Sequence, residues 1–335
     1  MKSKITIFFA IGAMLLILST GAVAETVLRV SGIVNNPLAL TMTDLEKFQA
    51  TDVQLNDIHQ DGAFQGVFNC RGVSLRNLLT LAAIEKKETD FKKQIDLAVV
   101  VKSRTGKQVT LSWGEIFYKN PDEVIITFSS SPIYPHHARH SLEKEAYDAM
   151  MKTLNREVAY PRLVVSRDLF SDRSIESITD VVVVDVKPKV KGEKSSSVFS
   201  DSFRIVQDGK PDQLMTQLPK GTRDKAQLHI VGEGRGYHGT HWVGGVSIKK
   251  LLEPYKTGFD LNTVFIVSAP DAYRSLISYG DLYLNPHGDR IMIADEVDDK
   301  PIGENGGRFV LYFPDDLMAD REVKAVGKIE ILNLD

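Results

Sequence analysis

Cysteine is almost absent from this sequence, because Cys70 is the only one among 335 residues. A single cysteine cannot form an internal disulfide, so the fold must be stabilised by a hydrophobic core. The sequence also lacks a Cys-x-x-Cys-His motif and any cysteine-rich metal pattern, which excludes c-type haem attachment and cysteine-based zinc or iron–sulfur centres. Cys70 is interpreted either as a small buried hydrophobe or as a reactive thiol whose pKa is lowered by its neighbour Arg71.

The sequence also lacks a large excess of charge of one sign, since it contains 41 basic and 44 acidic side chains. A chain of this balance has no global attraction for nucleic acid or for an anionic membrane surface. With 43% apolar and 25% charged residues, the composition excludes a collagen, a coiled coil and a disordered chain. At roughly 100–200 residues per domain, the length predicts two domains.

Long apolar runs are confined to the N-terminus. Lys2 and Lys4 precede an apolar run over residues 5–18, and a small-residue site ends at Ala24. This pattern is typical of a cleaved secretory signal over residues 1–24, which predicts a periplasmic or secreted protein. The apolar run is shorter than the about 20 residues that span a bilayer, so we expect no membrane span after cleavage.

An internal repeat is the most informative feature of the sequence. Residues 66–79 align without gaps with residues 239–252, and both segments contain Gly-Val-Ser followed by Leu-Leu. Further matches follow in the same order along the chain: 111–117 with 277–283, 162–165 with 308–311, and 168–173 with 316–321. A repeat of this length predicts a duplicated domain rather than a solenoid, whose repeats have 20–50 residues.

The repeat and the local composition predict where each domain begins and ends. The segments are a first domain over 25–186, a polar and Ser-rich linker over 187–197, and a second domain over 198–335. Strands outnumber helices in the hydrophobic pattern, and the helices are short, so we predict an α+β fold of two tandem β-rich mixed α/β domains. Thr43 with Glu46, Ser74, and Ser112 with Glu115 are the predicted helix N-caps of the first domain.

The first half is similar to the molybdopterin-binding domain of the sulfite oxidase superfamily. The residues that carry the resemblance are Leu28-Arg-Val-Ser-Gly-Ile-Val-Asn-Asn-Pro-Leu38, Met42-Thr-Asp-Leu45 and Phe68-Asn-Cys-Arg-Gly-Val-Ser-Leu-Arg-Asn-Leu-Leu79. The repeat extends the resemblance to Trp242-Val-Gly-Gly-Val-Ser-Ile-Lys-Lys-Leu-Leu252 in the second half. The resemblance implies two tandem domains of the sulfite oxidase molybdopterin-binding-like fold and a redox-associated role.

The sequence departs from this family at the position of the molybdenum ligand. The resemblance implies a cysteine thiolate in the loop about a dozen residues before the Gly-Val-x-Leu turn. The corresponding stretches are residues 59–63 and 232–236, and neither contains sulfur. Cys70 occupies the slot that the family gives to an aromatic residue, so it is not expected to replace the ligand. Since Gln and Gly cannot replace a soft thiolate, the resemblance implies ligand or cofactor binding without the usual molybdenum thiolate.

The resemblance also suggests which residues would contact a ligand such as molybdopterin. The loop around Gly234-Arg-Gly-Tyr-His-Gly-Thr-His-Trp242 is rich in glycine, which lets backbone N–H groups approach an anion, and an arginine there can pair with phosphate. The predicted ligand-binding residues are Arg235, Tyr237, His238 and His241 in the second half, and His59 and Arg71 in the first. Arg162 and Arg308 occupy equivalent positions before apolar strands, where they would bind anions or form structural salt bridges.

A histidine cluster in the first half is a separate candidate for metal binding. His136, His137 and His140 lie within a segment that has no counterpart in the second half. His136 and His140 are four residues apart, so a helix there would place both on one face, where neutral imidazoles chelate a transition metal or haem. The alternative interpretation is a solvated surface segment.

These observations predict an exported protein that binds a redox-associated ligand or cofactor. Two alternatives stay open at this point. One is a molybdopterin-dependent oxidoreductase with altered cofactor ligation, and the other is a non-catalytic metal-binding or haem-binding scaffold for a partner such as a cytochrome. The sequence does not decide whether the protein is an enzyme.

Overall fold

The computed structural model describes residues 25–88, 90–188, 199–232, 236–303 and 306–335. The predicted signal over residues 1–24 and residues 189–197 of the predicted linker lie outside this part of the chain. Below, the first half means the described residues up to 188, and the second half means those from 199 onwards. Within the described residues, no helix is both long enough and apolar enough to cross a bilayer.

The first half is built from strands joined by short helices. Its strands are β1 (Leu28–Gly32), β2 (Leu38–Leu40), β3 (Thr51–Ile58), β4 (Phe64–Ser74), β5 (Leu97–Ser103), β6 (Gln108–Ser112), β7 (Val124–Pro132), β8 (Arg162–Val165) and β9 (Ile178–Asp185). Its helices are α1 (Met42–Glu46), α2 (Leu75–Ala82), α3 (Trp113–Phe117), α4 (Ala138–Ser141) and α5 (Lys144–Leu154).

The second half has the same character with fewer helices described. Its strands are β10 (Phe203–Gln207), β11 (Gln213–Met215), β12 (Asp224–Gly232), β13 (Gly236–Ser247), β14 (Thr263–Ser268), β15 (Arg274–Ser278), β16 (Met292–Val297), β17 (Lys300–Pro301), β18 (Val310–Tyr312) and β19 (Lys328–Asn333). Its helices are α6 (Ile248–Leu252) and α7 (Tyr279–Tyr283). The mixed, β-rich content confirms the predicted α+β class.

Equivalent sheets occur in the two halves. One sheet has the order β2-β1-β9-β5-β6, and its counterpart has the order β11-β10-β19-β14-β15. In each of these sheets one strand pair is parallel, β1 with β9 and β10 with β19. The second sheet of each half is antiparallel, with orders β3-β4-β7-β8 and β12-β13-β16-β17, where β18 also pairs with β16. The shared strand order follows the sequence repeat, whereas the exact domain boundaries stay a prediction.

The helix starts differ in part from those predicted. Ser112 and Glu115 form the predicted capping box at the start of α3. The first helix is capped by Thr41 and Asp44 instead, so the assignment of this role to Thr43 and Glu46 was wrong. Thr43 lies inside α1, because the chain enters the helix two residues earlier than the pattern indicated.

The second predicted cap also needs correction. Ser74 stands at the N-cap position of α2, but its hydroxyl donates to the Pro121 carbonyl rather than capping the helix. The helix ends at Ala82, and Ala83 adopts a left-handed conformation. The predicted apolar face of α2 is buried as expected, with Leu75, Leu78, Leu79 and Ala82 in the core of the first half.

The two halves meet along a seam that the sequence repeat makes nearly symmetrical. Backbone hydrogen bonds cross it in pairs of equivalent residues: Thr110 N to Leu261 O and Leu276 N to Ile95 O, both 3.0 Å, and Leu169 N to Leu284 O and Leu317 N to Tyr118 O, both 2.8 Å. A buried apolar cluster with members from both halves lies on the same seam: Ala98, Val186, Val264, Ile266, Leu276 and Leu332. The halves therefore share a continuous interior.

Buried charges complete the seam. Arg173 pairs with Asp168 at 2.8 Å and with Glu115 at 3.0 Å, and Ser278 of the other half donates to Glu115 at 2.7 Å. Because Arg173 and Glu115 are both buried, each depends on the other for compensation of its charge. Gly280 provides the space, since a Cβ atom there would lie 1.9 Å from the Arg173 Cζ.

The equivalent residues form the same contacts with the roles of the two halves exchanged. Arg321 of the second half pairs with Asp316 at 2.6 Å and with Asp281 at 3.3 Å, and Ser112 of the first half donates to Asp281 at 2.7 Å. A Cβ atom on Gly114 would lie 2.2 Å from the Arg321 Cδ. Each half therefore places an arginine against a glycine of the other half.

Candidate functional site

A polar cleft of about 330 Å³ opens in the first half, at the end of β3 and beside β8. The charged and titratable residues of this first-half cleft are Asp57, His59, Lys107, Arg156, Arg162 and Glu176. The uncharged polar side chains of its wall are Gln65, Ser103, Thr105, Ser174 and Ser177. The cleft therefore combines fixed charges with neutral hydrogen-bonding groups.

The alternation of buried and exposed residues along β3 determines where the Asp57 carboxylate lies. Along β3, Val53, Leu55 and Asp57 alternate with exposed residues, so all three point toward the same interior side. Asp57 is the last of them and lies next to the register shift between β3 and β4. Arg162 begins β8, where Thr127 donates its hydroxyl to the Arg162 carbonyl at 3.1 Å. β3 and β8 are the two outer strands of this sheet, and the side chains of Asp57 and Arg162 meet at 2.7 Å.

Two arginines share one carboxylate in the cleft. Arg162 Nη2 lies 2.7 Å and Arg156 Nη2 lies 2.8 Å from Asp57 Oδ2. Arg156 Nη1 also pairs with Glu176 Oε1 at 2.7 Å. Burial alone would raise the pKa of Asp57, but the charge and hydrogen bond of Arg162, reinforced by Arg156, hold it below its usual value. Asp57 is therefore ionised at neutral pH.

Arg162 has hydrogen-bonding capacity that the described residues do not use. It is only 2% exposed, yet its Nε and Nη1 atoms form no hydrogen bond within the described part of the chain. Its Nη1 lies 3.6 Å from Glu176 Oε1, which is an ionic contact without hydrogen-bond geometry. Since buried guanidinium N–H groups are costly to leave unpaired, Arg162 is suited to a ligand with acceptor oxygens.

His59 is the predicted ligand-binding residue that this cleft contains. Its Nε2 lies 4.0 Å from Asp57 Oδ1, and its backbone N–H donates to the Ala63 carbonyl at 3.0 Å. Arg71 is placed elsewhere, on the exposed side of β4, where it pairs with Asp52 at 2.6 Å. Arg71 and Cys70 are successive strand residues and point to opposite faces, so Arg71 does not line the cleft.

Cys70 lies beneath the cleft floor rather than in its wall. It packs with Leu55, Phe68, Ile125 and Val164 in a small apolar cluster. Burial raises the pKa of the Cys70 thiol to about 11, even though nearby arginines act in the opposite direction. A protonated, buried thiol is a poor nucleophile and a poor metal ligand, so the interpretation of Cys70 as a buried hydrophobe is the one its surroundings favour.

Alkylation of Cys70 by iodoacetamide is expected to be slow in the folded protein. At pH 8 we expect labelling about 100-fold or more slower than in the unfolded chain, because burial and the raised pKa both suppress the thiolate. Mass spectrometry of samples taken over time measures the rate, and the same protein in guanidinium chloride is the control. Equal rates in the two states would contradict this placement of Cys70.

The second half places its predicted residues on a hairpin. His241 Nδ1 is hydrogen-bonded to Asp298 at 2.7 Å, and this bond raises the pKa of His241. His238 Nε2 donates to the Gly232 carbonyl at 3.0 Å. Tyr237 is largely exposed, and Arg235 lies outside the described residues. Tyr237 and His238 are held by contacts within the hairpin, and His241 is held by the turn between β16 and β17. None of the three lines the cleft that contains His59.

The first-half cleft has no close counterpart in the second half. The strand register makes Ile230 the equivalent of Asp57, since each pairs opposite an equivalent glycine, Gly239 or Gly66. By the same register, the position of Arg162, which pairs opposite Thr127, is taken in the second half by the buried Val310, which pairs opposite Ala294. The sequence alignment of Arg308 with Arg162 was therefore wrong by two residues, and Arg308 is exposed. The acid and the buried arginine are therefore features of the first half alone.

The helix predicted for the histidine cluster begins later than expected. His136 and His137 precede α4 in a turn, so His136 and His140 do not share a helical face, and the prediction of a helix over both was wrong, whereas metal binding by these histidines stays a prediction. All three histidines are exposed, and the ring centroids of His136 and His137 are 6.3 Å apart. The preceding prolines Pro132 and Pro135 delay the helix start, which explains the difference.

One group of carboxylates within the described residues has metal-ligand spacing. Glu88, Asp96 and Asp185 offer oxygens within 4.8 Å of one another. Lys86 Nζ already occupies their centre, at 3.1, 2.5 and 3.3 Å from the three residues. Arg274 from the second half adds contacts of 2.7 Å to Glu88 and 2.8 Å to Asp96. The cluster is therefore a salt-bridge network of the seam.

Molybdenum held by a thiolate does not fit the residues of the cleft. The charged residues of the cleft are hard oxygen and nitrogen donors, and the chain's one sulfhydryl is packed in an apolar cluster with a raised pKa. The arginines would suit the oxyanion part of a cofactor, but they offer no bond to its metal. The cleft residues therefore support no step that depends on molybdenum.

Sequence reasoning missed four of the charged cleft residues, namely Asp57, Lys107, Arg156 and Glu176. Asp57 had a readable signal, because an acid at an inward-facing strand position after Val53 and Leu55 needs a buried partner. Arg156 and Glu176 had none, since they lie in loops, and Arg156 reaches both Asp57 and Glu176 only through tertiary contacts. Arg162 was identified as an anion ligand or a salt-bridge residue, and it is a salt-bridge residue with spare donors.

Comparisons with known proteins give little direct information. No family model matches the chain, and no curated protein matches it. Among solved structures, the crystal structure of the sulfane dehydrogenase SoxCD from Paracoccus pantotrophus is 12% identical, with 92% of this chain and 78% of that chain covered at a TM-score of 0.33. A TM-score this low does not establish a common architecture, so the function of this chain is inferred from its own residues.

Proposed function

We propose that the protein is an exported ligand-binding protein whose first-half cleft holds a small organic anion. The observation that carries this proposal is the buried Arg162, whose Nε and Nη1 donors lack hydrogen-bond partners among the described residues. An anion in the cleft would satisfy these donors without requiring a new charged side chain. The signal-like residues 1–24 support the export part of the proposal.

The charge balance of the cleft defines the ligand further. Arg156, Arg162 and Lys107 are opposed by Asp57 and Glu176, which leaves one positive charge when His59 is neutral. A singly charged carboxylate, sulfonate or phosphate ester therefore matches the cleft better than a neutral molecule. The volume of about 330 Å³ suits a small molecule rather than a polymer.

Binding is better supported than catalysis. The residues that line the cleft include no thiol, and Arg156 and Arg162 hold Asp57 as a fixed ion-pair partner rather than as a free base. Any redox chemistry would then have to reside in the bound molecule. The cleft residues would select that molecule and orient its charged end.

The test is a comparison of the buried Arg162 with the exposed Arg308. Isothermal titration with lactate, methanesulfonate and methyl phosphate, and with neutral lactamide, would show whether anions bind. We expect at least one anion to bind, and Arg162→Gln to weaken it about 10-fold or more, because a hydrogen bond to a charged group contributes about 1.5–3 kcal/mol. Arg308→Gln is the matched control, since its exposed side chain lies outside the cleft.

Two outcomes would contradict the proposal. One is that lactamide binds as well as lactate, which would remove the role of charge. The other is that no anion binds, or that Arg162→Gln and Arg308→Gln have the same effect on binding. Thermal unfolding of both variants establishes that each remains folded before its affinity is compared.

A further inference from the structure

The hairpin of β12 and β13 has an exposed face that combines aromatic rings with uncharged polar groups. Trp242 pairs opposite Gln227, and Thr240 pairs opposite His229, so these four side chains share one face of the sheet. The Tyr237 hydroxyl reaches the same face, 2.7 Å from Thr240 Oγ1. Trp242 is 52% exposed and Tyr237 is 65% exposed. We call these five residues the aromatic face.

The fold itself does not require an indole at the position of Trp242. In the first half, the strand register makes Asn69 the equivalent of Trp242, Val67 the equivalent of Thr240, and Asn56 the equivalent of His229. Phe64, which is 43% exposed, is the equivalent of Tyr237, so both halves carry one exposed ring at this end of the hairpin. The second half adds Trp242 to the same face, and exposed apolar surface gathered on one face is typical of a binding site.

The polar groups of the aromatic face are fixed in position. Thr240 Oγ1 is hydrogen-bonded both to the Tyr237 hydroxyl at 2.7 Å and to His229 Nδ1 at 2.8 Å. This chain of hydrogen bonds orients the tyrosine ring and the imidazole before any ligand arrives. Within the described residues, His229 Nε2 and the Gln227 amide have no hydrogen-bond partner that would compete with a ligand. The face therefore offers pre-positioned donors and acceptors beside two rings.

Charged side chains at the border of the face are paired within the protein. Lys225 pairs with Asp299, and Arg223 pairs bidentately with Asp295 at 3.1 and 2.7 Å. Arg223 also lies 3.1 Å from Glu296. The surface thus presents aromatic rings and neutral polar groups, with these bordering charges compensated. Among the described residues, this balance is more complementary to an uncharged polar partner than to a polyanion.

We propose that the aromatic face binds an uncharged carbohydrate. The apolar C–H face of a pyranose ring packs against an exposed indole or phenol ring, while its hydroxyls exchange hydrogen bonds with imidazole, amide and hydroxyl groups. Trp242 and Tyr237 supply the rings, and His229 and Gln227 supply the polar partners. The site is separate from the first-half cleft and does not depend on the function proposed for it.

Affinity electrophoresis of the purified protein tests this proposal. Native gels would contain dextran, laminarin, galactomannan or hydroxyethyl cellulose as neutral probes, and alginate or heparin as anionic ones. We expect retardation in at least one neutral gel and a loss of at least 10-fold in affinity for Trp242→Ala. Asn69→Ala, at the equivalent position of the first half, is the matched control and is expected to bind like the wild type.

Each other outcome would overturn the inference. These outcomes are retardation by none of the neutral polysaccharides, retardation by the anionic polysaccharides alone, and equal retardation of the wild type and Trp242→Ala. If the protein bound a protein partner through Trp242 and bound no glycan, the carbohydrate proposal would also be overturned. Because Trp242 is exposed, Trp242→Ala is expected to keep the wild-type melting temperature, which separates lost binding from lost folding.

Discussion

Replacing Gly280 by alanine is expected to lower the free energy of unfolding by about 3–5 kcal/mol, the cost of breaking a buried ion pair. The new Cβ atom would lie 1.9 Å from the Arg173 Cζ, so the guanidinium group must move. Arg173 is buried and holds both Asp168 and Glu115, and moving it leaves these carboxylates without compensation. Chemical denaturation followed by circular dichroism measures the change.

Gly221→Ala is the control for the loss of a glycine. Gly221 has no heavy atom within 4 Å of an added Cβ, so its replacement should change the stability by less than about 0.5 kcal/mol. Gly114→Ala should behave like Gly280→Ala, because its Cβ would meet Arg321 at 2.2 Å. If Gly280→Ala were as stable as Gly221→Ala, the packing of arginine against glycine across the seam would not be important for folding.

Asp57→Asn is expected to destabilise the protein by about 3 kcal/mol at neutral pH, the lower end of the cost of removing one partner of a buried ion pair. The substitution keeps the size of the side chain but removes the charge that compensates Arg162, which is buried, and Arg156, which is partly buried. The measurement is again chemical denaturation. Asp52→Asn, which disrupts only the exposed pair with Arg71, should cost no more than about 1 kcal/mol.

The effect of Asp57 has a defined dependence on pH. The pKa of Asp57 is lower in the folded protein than its ordinary value, so its ionisation stabilises the fold. This stabilisation is fully present above the unfolded pKa of about 3.9 and is lost as the pH falls through the folded pKa. The wild type and Asp57→Asn should therefore converge in stability at low pH. A difference that stayed constant down to about pH 2 would show that the carboxylate charge is not the cause.

Local patterns in the sequence predicted the elements well, for identifiable reasons. The Ser112–Glu115 spacing predicted the start of α3, and the apolar spacing of Leu75, Leu78 and Leu79 predicted the buried face of α2. Both signals depend on residues within one or two helical turns. The cap of α1 was placed two residues late, because Thr41 and Thr43 are each followed three residues later by an acid. Local spacing alone cannot distinguish two such candidates.

The candidate site could be predicted only in part. His59 was identified from the family resemblance and Arg162 from the repeat, and both line the cleft. Arg156 could not be, because it follows α5 in a segment without a counterpart and contacts Asp57, which lies 99 positions earlier in the sequence. The repeat gave no information about that segment. The helix predicted over His136 and His140 was wrong for a related reason, since four-residue spacing places two side chains on one face only within a helix.

The exchange of arginines across the seam makes the two halves mutually dependent. A fragment ending near residue 188 would leave Glu115 without its Ser278 hydrogen bond and would expose the apolar surface of Ala98 and Val186 to water. A fragment beginning near residue 199 would lose the Ser112 donor to Asp281 in the same way. The chain thus resembles an obligate dimer whose subunits have been fused into one polypeptide, so that each subunit is always made in equal amount with its mate.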